Sequence, residues 1–302
     1  MKEEVFTDYT VSGRKKPWNL KKKQNLLYAN YLEILEYNKA RNVKECGNII
    51  GLRKDDEGHL RVNQTWFCHS RLCPMCNWRR SIRQGYELKV ILSKAVEKYP
   101  KGCFLFLTLT EKNCLGENLK AHLRDMANGF MRLSQYKKVA KNLLGYIRTT
   151  EITINENSME YHPHMHTILF MKSTYFSGQK NYISKNEWTQ LYKKARKLDY
   201  NPIIDVHIIK DRSQDSFLGA AQEVAKYQVK DSDIITGNTE RDLKVIDDLE
   251  SSLKNTKKIS YGGIFKKLRK ETKARQSKTK NKDEYLITWD EKKEKYFLSR
   301  YQ

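Results

Sequence analysis

Three histidines alternate with other residues along the segment Tyr161-His-Pro-His-Met-His-Thr-Ile-Leu169, at positions 162, 164 and 166. Residues two apart project from the same face of a β-strand, so the three imidazoles are predicted to share one face. An imidazole pair at this spacing can hold a divalent metal ion. With one carboxylate added, such a site keeps coordination positions open for a phosphate oxygen.

A carboxylate for this site is predicted on the strand that precedes the histidines. The polar turn at 155–158 separates two strand patterns, which predicts a β-hairpin. The register that buries Ile152 opposite Pro163 sets Glu151 opposite His164, on the face away from the core. Glu151 is therefore predicted as the third metal ligand, on the condition that the register does not slip by one residue.

A second group of reactive side chains is predicted on one face of a helix. Glu223, Tyr227 and Lys230 stand at positions i−4, i and i+3. A tyrosine that attacks phosphorus must lose a proton whose ordinary pKa is about 10, and a nearby cation favours the phenolate. Glu223 could serve as a general base in a later step. The alternative is an ordinary helix with a packed tyrosine and two solvated charges.

Four of the six cysteines suggest a second metal site. Cys68, Cys73 and Cys76 have the spacing C-x4-C-x2-C, and a closed structural zinc site needs a fourth ligand. Cys46 is the first candidate and His69 the second. The alternative is a set of reduced, buried thiols without metal. The other two cysteines flank a predicted strand and are expected in the core: Cys103 and Cys114.

The elements that must position these groups follow from the apolar periodicity. Strands are predicted at 104–110, 146–155, 161–171 and 203–209, and helices at 119–133, 188–195 and 216–229. The resulting β-α-β-β-α-β order, followed by one helix, predicts an α+β fold with a split β-α-β antiparallel sheet. A helix ahead of the cysteines is predicted from four apolar positions: Leu27, Tyr31, Ile34 and Leu35.

Composition points to an anionic partner. The chain has 302 residues, 58 of them Lys or Arg against 36 Asp or Glu, and a formal charge of +22. Nucleic acid phosphate is the commonest partner of such a chain, although a solvated basic surface is the alternative. Residues 266–282 hold nine Lys or Arg against one acid. Six basic residues are predicted to contact DNA: Arg79, Arg80, Lys266, Lys267, Arg269 and Lys270.

Three regions are predicted: 1–99 with the cysteines, 100–235 with the histidines and tyrosine, and 236–302 as a basic region. The apolar residues at 285–289 and 296–298 are expected to pack against the rest of the fold. The longest wholly apolar run has five residues, and no secretory signal pattern is found at the start. We therefore expect a cytoplasmic protein without a membrane partner, whose clustered thiols favour metal over disulfides.

The ordered motifs resemble those of a known family. Phe106-Leu-Thr-Leu-Thr110 with Asn113, His164-Met-His166 and Tyr227-Gln-Val-Lys230 are similar to the three motifs of rolling-circle replication initiators. More narrowly, the chain resembles the Rep proteins of small multicopy plasmids from Gram-positive bacteria, which are single-tyrosine HUH endonucleases. The segments 66–80 and 253–263 share the resemblance.

The resemblance implies a role for each matching residue and an HUH nuclease core. His164 and His166 match the metal-binding pair, for Mg²⁺ or Mn²⁺, and Tyr227 matches the nucleophile. Glu223 matches the acid that directs water-mediated termination in place of a second tyrosine, and Lys230 matches the lysine of the Y-x-x-K motif.

The implied activity is nicking of one strand at a plasmid double-strand origin. It would form a 5′-phosphotyrosine intermediate, leave a 3′-hydroxyl primer and later rejoin the strand. The implied partners are unpaired or hairpin origin DNA and a host helicase, polymerase and single-strand binding protein; a homodimer is left open. The alternatives are a zinc-stabilised DNA-binding regulator that never cuts, or a related HUH relaxase or transposase.

Overall fold

The computed structural model describes residues 4–10, 12–178, 180–209, 214–226, 228–275 and 284–300. The chain divides into two units. Unit 1 comprises Met1–Arg80, Ile234–Ile246 and Ser277–Gln302, and unit 2 comprises Ser81–Asp233 and Asp247–Gln276. The predicted mixed α+β class is confirmed. Among the helices that the structure describes, none is both long and apolar enough to cross a membrane.

The helices in chain order are α1 (Trp18–Ile34), α2 (Ala40–Lys44), α3 (Pro74–Lys98), α4 (Gly116–Gln135), α5 (Lys137–Ala140), α6 (Lys185–Arg196), α7 (Gln214–Ala225), α8 (Asp231–Ile234), α9 (Thr239–Leu253) and α10 (Ile264–Arg275). The strands are β1 (Glu4–Val5), β2 (Ile49–Lys54), β3 (Leu60–Thr65), β4 (Cys103–Thr110), β5 (Leu143–Ile154), β6 (Tyr161–Met171), β7 (Ile203–Ile209), β8 (Ile259–Gly263), β9 (Tyr285–Asp290) and β10 (Lys295–Arg300).

Unit 1 contains a five-stranded antiparallel sheet in the order β1-β10-β9-β2-β3. The last two strands pair with strands from the beginning of the chain, and Ile50 of β2 lies opposite Ile287 of β9. Both of these side chains are fully buried, as is Tyr296 of β10. The expectation that the final apolar segments pack against the fold is therefore confirmed.

The buried face of α1 differs from the predicted one. Leu27 and Ile34 are 47% and 60% exposed. The buried face instead contains two polar residues, and its members include Trp18, Lys22, Asn25, Tyr28 and Leu32. Polar side chains can be buried where their donors and acceptors are hydrogen-bonded, as those of Lys22 and Asn25 are. Tyr31 is buried as predicted, but Leu27 and Ile34 are not, so apolar periodicity identified only part of the buried face.

Unit 2 is built on a second antiparallel sheet, in the order β7-β4-β6-β5-β8. One face packs its aromatic and aliphatic side chains, such as Phe104 and Ile168, against residues of α3, α7 and α10. The other face packs Leu105, Leu107 and Leu109 against α4 and α6. All the apolar positions predicted for α4 are buried: Leu119, Leu123, Met126, Phe130 and Leu133.

Over its described residues, the chain between Lys230 and Arg275 forms α8, α9, β8 and, within the basic region, α10. Strand β8 extends the sheet beside β5, and Gly263 ends it with φ +56°. A Cβ atom at Gly263 would lie 2.2 Å from the carbonyl oxygen of Leu144, so the close approach of these two strands requires glycine there.

Candidate functional site

The three histidines of β6 lie on the face of the unit 2 sheet where Phe106 and Ile168 pack against α3, α7 and α10, so the prediction that this face points away from the core is wrong. The hairpin register is the predicted one, with Ile152 opposite Pro163 and Glu151 opposite His164. On the other side of β6, Thr108 lies opposite His166 and Thr110 opposite His164. A row of imidazoles is therefore flanked by threonines on β4 and by a carboxylate on β5.

The two threonines give the motif Phe106-Leu-Thr-Leu-Thr110 a structural role. Oγ1 of Thr108 lies 3.2 Å from Nδ1 of His166, and Oγ1 of Thr110 lies 3.0 Å from Nδ1 of His164. A hydrogen bond at one ring nitrogen orients an imidazole and leaves the other nitrogen for a ligand. The leucines between the threonines point to the opposite face, into the core.

Two carboxylates and one imidazole form a cluster on this face of the sheet. Nε2 of His166 lies 3.0 Å from Oε2 of Glu151. The ligand atoms of Glu151, His166 and Glu223 all lie within 4.8 Å of one another. His164 is outside this group: its ring centroid is 6.4 Å from that of His166, and its Nε2 lies 3.5 Å from Oγ1 of Thr153.

The protonation states at this site favour metal binding. The hydrogen bond with His166 lowers the pKa of Glu151, and the positive charges of Lys226 and Lys230 act in the same direction. Burial lowers the pKa of His164, as do the neighbouring imidazoles. At neutral pH Glu151 is therefore ionised and His164 is neutral, the forms that coordinate divalent cations.

Glu223 reaches the site from α7, and the chain after α7 follows β5. The side chain of Glu223 forms an ion pair with Lys226. The carbonyl oxygen of Gln228 accepts a hydrogen bond of 2.6 Å from the backbone N–H of Ile152. Tyr227 lies outside the described residues, but both of its sequence neighbours are described.

The prediction of one helical face for Glu223, Tyr227 and Lys230 is wrong, because α7 ends at Ala225. Lys230 lies beyond the helix and is exposed. The helix ends where the ammonium group of Lys258 donates to the carbonyl oxygen of Ala225 at 3.0 Å.

Lys258 is a residue that sequence reasoning missed. It is 9% exposed, and its own carbonyl oxygen accepts a hydrogen bond from Thr149, the cross-strand neighbour of His166. It therefore connects the end of α7 to β5. In the sequence Lys258 is one of many lysines beyond Lys230, and nothing there marks it as buried.

Unit 1 brings the four cysteines together. The sulfur atom of Cys76 lies 3.5 Å from that of Cys46 and 3.6 Å from that of Cys68. The sulfur atoms of Cys46 and Cys73 are also 3.6 Å apart. These distances are too long for disulfides and close to the roughly 3.8 Å edge of a tetrahedron with Zn–S bonds of about 2.3 Å. His69 is exposed and does not belong to this cluster.

The ionisation of the cysteine cluster is uneven. Burial raises the pKa of the Cys73 thiol, whereas hydrogen bonds with the neighbouring sulfurs lower that of Cys68. Burial also lowers the pKa of nearby Lys22 to about 8, against the opposing effect of Cys46 and Cys73. The remaining two cysteines are partly buried rather than fully in the core: Cys103 and Cys114.

The basic residues predicted to contact DNA differ in how they are held. The guanidinium group of Arg79 lies 5.1 Å from the ring centroid of Trp18, and Arg80 donates to the carbonyl oxygen of His69 at 3.0 Å. Arg269 contacts the ring of Tyr261. The other three are exposed on α10: Lys266, Lys267 and Lys270.

Comparisons with known proteins agree with the motifs. A model of the family described as replication protein matches residues 59–300. The chain is 49% identical over 298 residues to a Protein rep of Lentilactobacillus hilgardii, covering 98% of this chain and 93% of that protein. It is 44% identical over 315 residues to a Protein rep of Lactiplantibacillus plantarum, covering 98% and 99%. The chain belongs to the Rep replication protein family.

The resemblance drawn from the sequence motifs is thereby confirmed. Family members from other genera include a Replication protein of Staphylococcus aureus, 42% identical over 192 residues, which cover 63% of this chain and 82% of that protein. No solved structure matches the chain. Within the Rep family match, residues 59–300 include the histidines of β6, Glu223, Tyr227 and three of the four clustered cysteines.

Proposed function

We propose that this Rep-family chain initiates plasmid replication by nicking one strand at the origin with Tyr227 as nucleophile, and that it later rejoins the strand. The observation that carries the proposal is the cluster of Glu151, His166 and Glu223. Gln228, the residue after Tyr227 in the sequence, is hydrogen-bonded to Ile152, the residue that follows Glu151, which supports Tyr227 as the nucleophile.

The residues proposed to hold a catalytic Mg²⁺ or Mn²⁺ are His164, His166 and Glu151. Their chemistry suits such an ion, since the Nδ1 atom of each imidazole lies within hydrogen-bonding distance of a threonine hydroxyl and the carboxylate is ionised. When bound, the cation would withdraw charge from the scissile phosphate. A mixed imidazole and carboxylate set favours Mn²⁺ over Mg²⁺.

In the proposed nicking step, the phenolic oxygen of Tyr227 forms a bond to phosphorus while the bond from phosphorus to the 3′ oxygen breaks. The phenol loses its proton and the departing 3′ oxygen gains one, which leaves a 5′-phosphotyrosine and a 3′-hydroxyl primer. Lys226 and Lys230 bring two ammonium groups close to this region, where they favour the phenolate. The phosphodiester is exchanged rather than lost, so rejoining needs no nucleotide cofactor.

Glu223 is proposed to act when replication ends. Its carboxylate would take a proton from a water molecule that attacks the second phosphodiester, leaving a 5′-phosphate and a new 3′-hydroxyl. That hydroxyl would attack the Tyr227 ester, which closes the strand and restores the phenol. The position of Glu223 beside Glu151 and His166 supports this role.

The DNA is proposed to be unpaired at the nick, and the exposed lysines of α10 are proposed to bind its phosphates. A formal charge of +22 supports this partner. The helicase and polymerase are proposed to come from the host. The β4-α4-β5-β6-α6-β7 order in unit 2 supports assignment of this sheet as an HUH nuclease core.

The four cysteines are proposed to hold a structural Zn²⁺. Their sulfur separations suit a tetrahedral site, and all four are free cysteines. Such a closed site would fix the segment from Cys46 to Cys76 and take no part in nicking.

The nicking proposal is tested with single-stranded oligonucleotides tiled over both strands of the replicon that encodes the chain. Each oligonucleotide is incubated with the full chain and Mn²⁺, and trapped conjugates are mapped by mass spectrometry. We expect an adduct on Tyr227 that Tyr227→Phe abolishes and that Tyr182→Phe, a change at an exposed tyrosine, retains. If no oligonucleotide gives an adduct, the non-cutting regulator is favoured and the proposal fails.

A further inference from the structure

Lys22 is a buried lysine whose side chain projects from α1 and is 0% exposed. The ammonium group donates three hydrogen bonds, to Oδ1 of Asn25 at 3.0 Å and to the carbonyl oxygens of Lys44 at 2.7 Å and Cys46 at 3.0 Å. All three acceptors are neutral, so these hydrogen bonds bring no negative charge to the ammonium group. Among the charges that act on it, the cysteine sulfurs outweigh the carboxylate of Glu291.

A buried charge is costly unless an opposite charge lies nearby. The candidate for that opposite charge is the cysteine cluster, because Lys22 binds the backbone of Cys46 directly. Asn25 extends the contact: its Nδ2 lies 3.4 Å from Sγ of Cys73 and 2.8 Å from the carbonyl oxygen of Val43. One polar network therefore joins the ammonium group to two of the four sulfur-bearing residues.

The charge of the cluster depends on whether it holds a metal ion. Thiols that stay protonated are neutral, so the metal-free cluster offers the buried ammonium less counter-charge than four thiolates do. Four thiolates around one divalent cation have a net charge of −2, since binding releases the four thiol protons to solvent. The positive charge of Lys22 then reduces the net charge of the buried site to −1.

We propose that Lys22 is the internal counter-charge of a metal-loaded four-cysteine site and, through Asn25, a positioning residue for Cys73. This rests on the proposed zinc site and is independent of the nicking chemistry. This role explains why a lysine and an asparagine lie on the buried face of α1, since both favour the metal-loaded form over the metal-free form.

The test compares the full-length wild type with Lys22→Met, which keeps the length of the side chain but removes its charge. The protein is first loaded with Co²⁺, whose charge-transfer band with thiolates reports on the cysteine site alone. Zn²⁺ is then added, and its affinity is obtained from the loss of this band as Zn²⁺ displaces Co²⁺. We expect Lys22→Met to weaken Zn²⁺ binding by at least about tenfold. Lys23→Met, a change at an exposed lysine of the same helix, is the matched control and should leave the affinity unchanged.

A second measurement separates charge compensation from simple packing. In thermal unfolding, Lys22→Met should lower the melting temperature of the Zn²⁺-loaded protein more than that of the chelated, reduced protein, because both forms lose the same three hydrogen bonds but only the loaded form loses the counter-charge to four thiolates. An equal loss of stability in the two forms, or a Zn²⁺ affinity within twofold of wild type, would overturn the proposal.

The Co²⁺ measurement also separates failure of the metal site from failure of the role of Lys22. If the wild type develops no charge-transfer band with Co²⁺ and retains no Zn²⁺, the metal site itself is wrong and the role of Lys22 falls with it. If the band forms normally and Lys22→Met leaves the affinity unchanged, the metal site stands and only the role of Lys22 is wrong.

Discussion

Glu151 forms its hydrogen bond with His166, although the residue directly opposite it in the β-ladder is His164. The carboxylate therefore reaches diagonally across the two strands, a distance that long side chains can span. This diagonal contact brings Glu151 towards Glu223 and leaves His164 beside Thr110 and Thr153. The geometry of the proposed metal site is thus asymmetric, with His166 as its central imidazole.

The first prediction concerns Thr108, the partner of that central imidazole. Thr108→Val keeps the shape of the side chain but removes the hydroxyl that lies 3.2 Å from Nδ1 of His166. Because outer hydrogen bonds orient metal ligands, the Mn²⁺ concentration for half-maximal nicking should rise by about tenfold. Thr110→Val, which affects His164, should have a smaller effect. Equal effects of the two changes in an Mn²⁺ titration would contradict a central role for His166.

How far the sequence predicted this site depends on how local each contact is. The pairing of Glu151 with His164 was predictable, because the short polar turn and the buried side chain of Ile152 together allow few registers. The arrival of Glu223 beside Glu151 was not, since it depends on how α7 packs across the sheet. The threonines were visible as part of a motif, but their contacts required the β4 and β6 register.

The fold, too, was predictable from the sequence only where the contacts are local. The amphipathic stripe of α4 identified its buried face, whereas the buried face of α1 contains Lys22 and Asn25 and was identified only in part, at Tyr31. Polar residues become internal only where distant backbone carbonyls accept their hydrogen bonds, and those partners lie about twenty residues away in the chain. The end of α7 at Ala225 likewise coincides with a contact from Lys258.

The second prediction concerns Glu111, which follows β4 directly. Its side chain is fully buried and accepts hydrogen bonds from Tyr192 and Arg196. Burial raises the pKa of Glu111, but the surrounding polar groups, including His122, outweigh this effect and hold it at about 2. A folded pKa below the unfolded value means that ionised Glu111 stabilises the fold above about pH 4.5, and that this is lost as pH falls towards 2.

Glu111→Gln should therefore lower the free energy of unfolding by about 3 kcal/mol at pH 7. The difference from wild type, measured by urea unfolding, should shrink as the pH falls from about 4.5 to 2. Glu117→Gln, at an exposed residue, is the control and should change little at any pH. A difference that stays constant over this range would show that the charge of Glu111 is not the stabilising feature.

The third prediction concerns the exposed lysines of α10, at positions 266, 267 and 270. Replacing all three with Gln should reduce the slope of log affinity against log salt concentration by about one for each lysine that contacts phosphate. Nicking of a short oligonucleotide should persist, because these residues are not proposed to touch the reacting groups. Three exposed lysines of other helices and loops, Lys120, Lys137 and Lys141, provide the matched control triple. An identical salt slope for both triples would contradict a specific role for α10.

The last prediction tests whether Lys258 positions Glu223. Lys258→Met removes the ammonium group that binds the carbonyl oxygen of Ala225, so the end of α7 should hold Glu223 less firmly against Glu151. We expect the Mn²⁺ concentration for half-maximal nicking to rise several-fold, with a smaller change in the rate at saturating Mn²⁺. Lys258→Arg, which keeps a cationic donor, should restore part of the effect, and Lys257→Met, at an exposed neighbour, should have none.

A double-mutant cycle decides whether this effect of Lys258 passes through Glu223. If Lys258 acts by placing that carboxylate, adding Lys258→Met to Glu223→Gln should change the Mn²⁺ requirement far less than it does in the wild type. A purely structural role would instead lower the melting temperature and leave the two changes additive. Additive effects on the Mn²⁺ requirement would therefore exclude the positioning role, because contact between Lys258 and α7 would then have no consequence for the carboxylate.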